Sequence, residues 1–195
     1  MTEPKPPLGL TPSQTVGPFF AYGLTPRQYG YDFPQIADGV LAGDAVPGER
    51  IRVAGRVLDG AGQPIEDALV EIWQADAQGV FPGPQRSAND GFTGFGRCGT
   101  GTDPERRFVF DTIRPGAPGP GQAPHLSVIV LMRGMLVHCH TRIYFPDEPA
   151  NAEDPVLLAV PEARRGTLIA KADGPGRYRF DIRMQGDGET VFFEI

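Results

Sequence analysis

The chain has 195 residues, 40% hydrophobic and 22% charged, with a formal net charge of -6 at pH 7, which suits one sizeable core and leaves little room for a second full domain. The acidic balance gives no electrostatic reason to approach nucleic acid or an anionic membrane, since both need clustered Lys and Arg, and no apolar run approaches the roughly 18 residues of a membrane span. The 26 Gly and 21 Pro imply many turns and long loops, as in β-rich proteins.

The first ten residues, "MTEPKPPLGL", have neither a charged n-region followed by an apolar run nor a small-residue cleavage site, so a cytoplasmic protein is expected. Residues 1–48 are dense in Pro, Gly and polar side chains, and the Pro-bracketed "LTPSQTVGPFF" within them suits neither a regular helix nor a central strand. Phe19, Phe20 and Tyr22 carry too much apolar surface for a disordered tail. An arm that packs on the core or on a partner is expected, with the main domain at 49–195.

From "RIRVAGRVLDGAGQPIEDALVEIWQADAQGVF" onward short runs alternate with turn chemistry at Asp59-Gly60, Gly62-Gln63-Pro64 and Asp76-Ala77-Gln78-Gly79, which predicts two strands and their connection. Further strands are expected at "RRFVFDTI", "HLSVIVLM", "LVHCHTRIYF", "RYRFDIRM" and "TVFFEI". In "RYRFDIRM", Tyr178, Phe180, Ile182 and Met184 alternate with Arg177, Arg179, Asp181 and Arg183, as in a strand between core and water. The Arg133-Gly134 pair in "LMRGML" predicts the tip of a tight hairpin. Only "EDPVLLAVPEARRGTLIAK" suggests helix, as two short pieces broken by Pro161 and Gly166. The expected fold is therefore all-β, a mostly antiparallel β-sandwich with long Pro/Gly-rich loops.

The chemistry is sparse. In "LVHCHTRIYF" (136–145) His138 and His140 project from the same side of a predicted strand and invite a metal, with Asp147 or His125 as a third ligand. Arg142 shares their face and its fixed charge opposes an incoming cation; the other face, with Val137, Cys139, Thr141, Ile143 and Phe145, is the expected core face. Cys139 has its neighbouring histidines on the opposite face, so no thiolate-imidazole pair forms within the strand. Cys98 and Cys139 are read as reduced, buried thiols. There is no Gly-x-Ser-x-Gly elbow, no phosphate-binding loop ahead of a helix and no evident carboxylate pair.

Taken in order, "TPSQTVGPFF", "GRVLDGAGQPIEDALVEIWQADAQGVF", "FGRC", "TIRPGAPGPGQAPHLSVIVLMRG", "HTRIYF" and "YRFDIRMQGDGETVFFEI" resemble the intradiol ring-cleaving dioxygenases along nearly the whole chain. The resemblance implies a β-sandwich and O2-dependent opening of an aromatic diol. Catalytic chains of that family hold non-haem Fe(III) through two Tyr and two His, and the matching positions here are Phe81, about Pro118, His125 and Ser127. Only His125 retains a donor of the right kind, because Phe81 lacks a phenolate, Pro118 has no donor and Ser127 offers a neutral hydroxyl. The resemblance thus implies no metal and no catalytic residue in this chain, and it takes the iron-ligand role away from the His138/His140 strand. It is nearest to the α-type chains of two-subunit members, in which a homologous β subunit carries the Fe(III) and the α chain closes the substrate pocket in a larger assembly of α-β pairs. On that pattern Thr15, Gly17, Phe19 and Arg133 are the implied substrate-side residues: a hydroxyl, a close backbone approach, a ring where related chains have Tyr, and a positive charge. A prealbumin-like binding module is the competing resemblance, carried by "RVAGRVLDGAGQPIEDALVEIWQAD". A metalloenzyme built on His138 and His140 is the third possibility.

Overall fold

A computed structural model describes residues 15–17, 19–83 and 91–194. After the short helix α1 (Phe20–Leu24) and a 3-10 turn (Pro26–Tyr29) come β1 (Arg50–Leu58), β2 (Leu69–Trp73), β3 (Phe95–Gly99), β4 (Arg107–Ile113), β5 (His125–Leu131) and β6 (Cys139–Tyr144). The helices α2 (Pro155–Ala159) and α3 (Glu162–Arg165) follow, then the short strands β7 (Lys171–Ala172), β8 (Arg177–Arg179) and β9 (Ile182–Arg183). Pro161 separates the two helices and Gly166 caps the second, as the sequence predicts.

The strands form two sheets, one ordered β4-β1-β8-β7 with β9 also on β1, the other ordered β3-β2-β5-β6. Alternate residues of each inner face meet in one core: Val53, Val57, Phe108 and Phe110 from the first sheet pack with Val70, Ile72, Leu126, Val128 and Val130 from the second. The expected sandwich is present, and most pairings are antiparallel; β1 with β8 and β9 is parallel. The adjacent strands β1 and β2 fall in different sheets, so their connection crosses the sandwich instead of closing a hairpin.

Three strand expectations need correction. The run 177–184 is two short strands: the register is unbroken, with Val53 opposite Tyr178 and Val57 opposite Ile182, but Arg56 N–H donates to Asp181 Oδ1 (3.1 Å) where a strand carbonyl would accept. The inward set is as predicted, with Tyr178, Phe180 and Ile182 buried. "TVFFEI" is no strand within its described residues; it makes one isolated bridge, Phe193 with His140. The run 136–145 pairs only from Cys139 to Tyr144, leaving Leu136, Val137 and His138 exposed, and Cys139 itself is only half-buried. Strand β3, "FGRCG", carries no period-two signal of its own.

A second apolar cluster, with Tyr144, Leu157, Val160, Leu168 and Ala123, seats α2 against one end of the second sheet's outer face. Asp154 organises it: fully buried, it caps α2 by accepting from Val156 and Leu157 N–H and also accepts from Ala123 N–H and the Tyr144 hydroxyl. Burial alone would raise its pKa, but those hydrogen bonds hold the carboxyl below its ordinary value. Tyr144 is pushed up to about 12, chiefly by burial. Part of the outer face of "HTRIY" is therefore interior, because a helix covers it.

Candidate functional site

The arm and the β5–β6 connection come together. Arg133 and Gly134 form a turn in which Met135 N–H returns to the Met132 carbonyl (3.4 Å), and Gly134 takes φ +86, a conformation that glycine adopts without strain. It is not the tip of a tight hairpin, since the last paired residues are Val130 and Cys139 and the connection runs on through Leu136 and Val137. Gly134 N–H donates to Thr15 Oγ1 (2.9 Å), across 119 positions of sequence. Arg133 Nε ion-pairs with Asp67 while most of its side chain faces solvent.

Gly17 follows Thr15 closely and its carbonyl accepts from Phe20 N–H (3.1 Å), which starts α1. Among the described residues nothing crowds a Cβ placed on Gly17. Phe19 is 80% exposed, so the expected burial of the arm's leading ring does not occur within this chain. It begins a line of rings: Phe19 to Tyr22 at 6.3 Å, Tyr22 to Tyr31 at 6.0 Å, Tyr31 to Phe33 at 5.9 Å. Further along, Leu41 is fully buried, and Leu41 N–H donates to the Asp111 carbonyl at the edge of β4.

The four positions of the implied ligand set lie on or beside the outer face of the second sheet. Ser127 sits opposite both Trp73 and Arg142 in register, and Phe81 stacks on Trp73 at 5.8 Å. Half-buried Pro118 follows Ala117, which packs against the Gly79 turn just before Phe81. His125 is buried, and its Nδ1 lies 2.8 Å from the Ala123 carbonyl; burial lowers its pKa, so the ring is neutral at pH 7. One imidazole, a phenyl, a pyrrolidine and a hydroxyl do not make a ferric site, because a hard trivalent ion needs anionic oxygen donors.

His138 and His140 do share a side, with ring centroids 4.6 Å apart. Neither suggested third ligand reaches them: Asp147 ion-pairs with Arg114 (3.0 Å), and His125 lies opposite Tyr144 at the other end of β6. Among the described residues no group of three or more His, Cys, Asp or Glu could hold a metal, and none of their helices is long and apolar enough to cross a membrane. Cys98 and Cys139 are unpaired thiols. What sequence reasoning missed is the row Phe95, Trp73, Ser127 and Arg142 across four strands. Its legible traces were Ser127, named among the ligand positions, and Arg142 on the face of the histidines.

A family profile described as "Dioxygenase" matches residues 34–129. The chain is 53% identical to a protocatechuate 3,4-dioxygenase alpha chain of Burkholderia cepacia, covering 96% of this chain and 98% of that one. It is 39% identical to the protocatechuate 3,4-dioxygenase beta chain of the same organism, over 73% of this chain and 67% of that one. Among solved structures, the dioxygenase domain of a dioxygenase–carbohydrate-binding protein fusion from Streptomyces sp. SirexAA-E superposes with a TM-score of 0.61 at 26% identity, covering 90% of this chain and 99% of that one.

Proposed function

The chain belongs to the intradiol ring-cleavage dioxygenases, and from that premise we propose that it serves as the iron-free α subunit of a protocatechuate 3,4-dioxygenase. The observation that carries this reading is the pairing of full-length likeness to an alpha chain with the loss of oxygen donors at the ligand positions Phe81 and Pro118 and of an imidazole at Ser127. The reaction assigned to the pair is O2-dependent intradiol cleavage of protocatechuate to 3-carboxy-cis,cis-muconate, with Fe(III) held by the homologous β subunit. No step of that metal chemistry runs through this chain. A prealbumin-like module would share the sandwich but not the likeness to both chains of one enzyme. Two unpaired thiols, Cys98 and Cys139, suit the reducing cytoplasm in which such a pair would work.

The chain's own contribution is a wall. Thr15 is tied to the Arg133-Gly134 turn by the bond to Gly134 N–H, so arm and turn present one surface carrying a hydroxyl, the open backbone of Gly17, the exposed ring of Phe19 and a guanidinium. Among the described residues nothing crowds position 17; a close neighbour from the β subunit or substrate would require glycine there. Closing the partner's pocket with this surface excludes water and strengthens the attraction between Arg133 and the carboxylate of an aromatic acid. The Arg133 side of its pair with Asp67 is largely exposed, and pairs open to solvent are worth about 1 kcal/mol or less, so redirecting the guanidinium toward substrate costs little.

Steady-state kinetics of the α-β complex carrying Arg133→Ala test this. The expected result is a KM for protocatechuate raised about 10- to 100-fold, the scale of a lost charge-assisted hydrogen bond, with kcat much less affected and partial recovery in Arg133→Lys. An unchanged KM would remove Arg133 from the pocket wall.

A further inference from the structure

Arg133 meets Asp67 by one edge only. A guanidinium offers a carboxylate two edges, Nε with one Nη, or the fork of Nη1 and Nη2. Here Nε donates to Asp67 Oδ2, and among the described residues neither Nη makes a hydrogen bond. The fork is left open on a side chain that is 63% exposed.

The two partners differ in how firmly they are held. Asp67 lies two residues before β2 and is followed by Ala68 and Leu69, both fully buried. Ala68 N–H donates to Thr100 Oγ1 (3.2 Å), and the Ala68 carbonyl accepts from Thr100 N–H (2.9 Å). The Asp67 carboxylate therefore stands on fixed backbone. Arg133 stands on an exposed turn, where a long side chain samples many rotamers unless something holds it. Neighbouring Glu66 is already engaged by Arg106 at 3.0 Å, which leaves Asp67 to Arg133. Gly134 N–H is meanwhile held by Thr15 Oγ1 at 2.9 Å, so the backbone and the guanidinium of this turn are tied to two different segments.

We propose that Asp67 is a positioning residue, holding Arg133 by its Nε edge so that the Nη1/Nη2 fork is preset toward the carboxylate of the aromatic acid in the partner's pocket. This rests on the reading of Arg133 as part of the pocket wall. Asp67 touches no substrate; it removes part of the ordering cost that Arg133 would otherwise meet on binding. Because the fork is open, the guanidinium engages substrate without releasing Asp67, and the two carboxylates do not compete.

The test is steady-state kinetics of the α-β complex carrying Asp67→Ala, Arg133→Ala and both. Asp67→Ala should raise KM for protocatechuate about two- to fivefold with kcat nearly unchanged, the scale of a solvent-open pair and one ordered side chain. On the Arg133→Ala background the same substitution should add nothing, because no guanidinium remains to be held. Catechol, the diol without a carboxylate, is the control: its competitive inhibition of protocatechuate turnover should not change in Asp67→Ala. Asp67→Asn, which keeps the shape and loses the charge, should fall between wild type and alanine, and it serves as the test variant if Asp67→Ala does not assemble. A lowered KM in the Asp67 variants would make Asp67 a competitor of substrate and overturn the proposal. An equal rise in KM on both backgrounds, or an equal loss of catechol binding, would overturn it as well, since a merely structural role produces both. If Arg133→Ala raises KM and the Asp67 variants leave it unchanged, this inference alone fails; an unchanged KM in Arg133→Ala removes the pocket-wall reading with it.

Discussion

At the scale of single residues, Asp154 is the clearest structural hub. Its carboxylate satisfies three backbone N–H groups and one hydroxyl in a place water does not reach. Removing it strands several buried donors, each costing about 1–3 kcal/mol, so Asp154→Ala should lower unfolding free energy by about 3 kcal/mol or more in urea denaturation; a loss under about 1 kcal/mol would mean that those donors find other partners. His125 gives a separate signature in pH. Its folded pKa lies below its ordinary 6.5 because of burial, so the unfolded chain takes up a proton first as pH falls. Its contribution is complete above about pH 7 and declines as the pH drops below 6.5, whereas the depressed pKa of Asp154 acts only below about pH 4. Denaturation midpoints from pH 8 to 5 should fall less steeply in His125→Gln than in the wild-type chain; identical slopes would contradict a neutral buried imidazole. The histidine pair shows what sequence reasoning can see at this scale: alternation put His138 and His140 on one side, correctly, but where the strand begins depends on partners. That is why His138 lies outside β6.

At the scale of elements, the parallel contact of β1 with β8 and β9 rests on one missing side chain. A Cβ at Gly55 would collide with the Phe180 carbonyl and lie 2.9 Å from the Phe108 ring. Gly55→Ala should therefore cost about 1–3 kcal/mol or more, as overpacking does, and should slow hydrogen exchange less at Phe180, whose N–H donates to the Ala54 carbonyl. Thermal melting that matches the wild-type chain would show that the two strands separate freely there. The inward alternation of 177–184 was legible from side-chain period alone. The break at Asp181 was not, because it arises when a carboxylate competes with the backbone for Arg56 N–H, an event between residues 125 positions apart. Both helices were legible from Pro161 and Gly166; the bounds of β3 were not, since a strand rich in Gly takes its conformation from its paired neighbour β2 rather than from its own propensity.

At the scale of the whole molecule, period-two patterning and turn chemistry sufficed for a sandwich, because the long strands such as β1, β4 and β5 carry their own record of which side is apolar. Which strands share a sheet is recorded nowhere locally, so the crossing between β1 and β2 and the row that places Ser127 between Trp73 and Arg142 became visible only with the register in hand. The Thr15–Gly134 bond likewise joins the two segments read as substrate-side from resemblance, without saying what lies against them. The proposed subunit role requires a partner that supplies the donors which Phe81, Pro118 and Ser127 lack. The most direct test is iron content and protocatechuate-dependent O2 uptake, measured for this chain alone and for the chain co-expressed with a homologous β chain. Iron and O2 consumption confined to the co-expressed complex is the predicted result. Stoichiometric iron and O2 uptake by the chain alone would contradict the account at its centre.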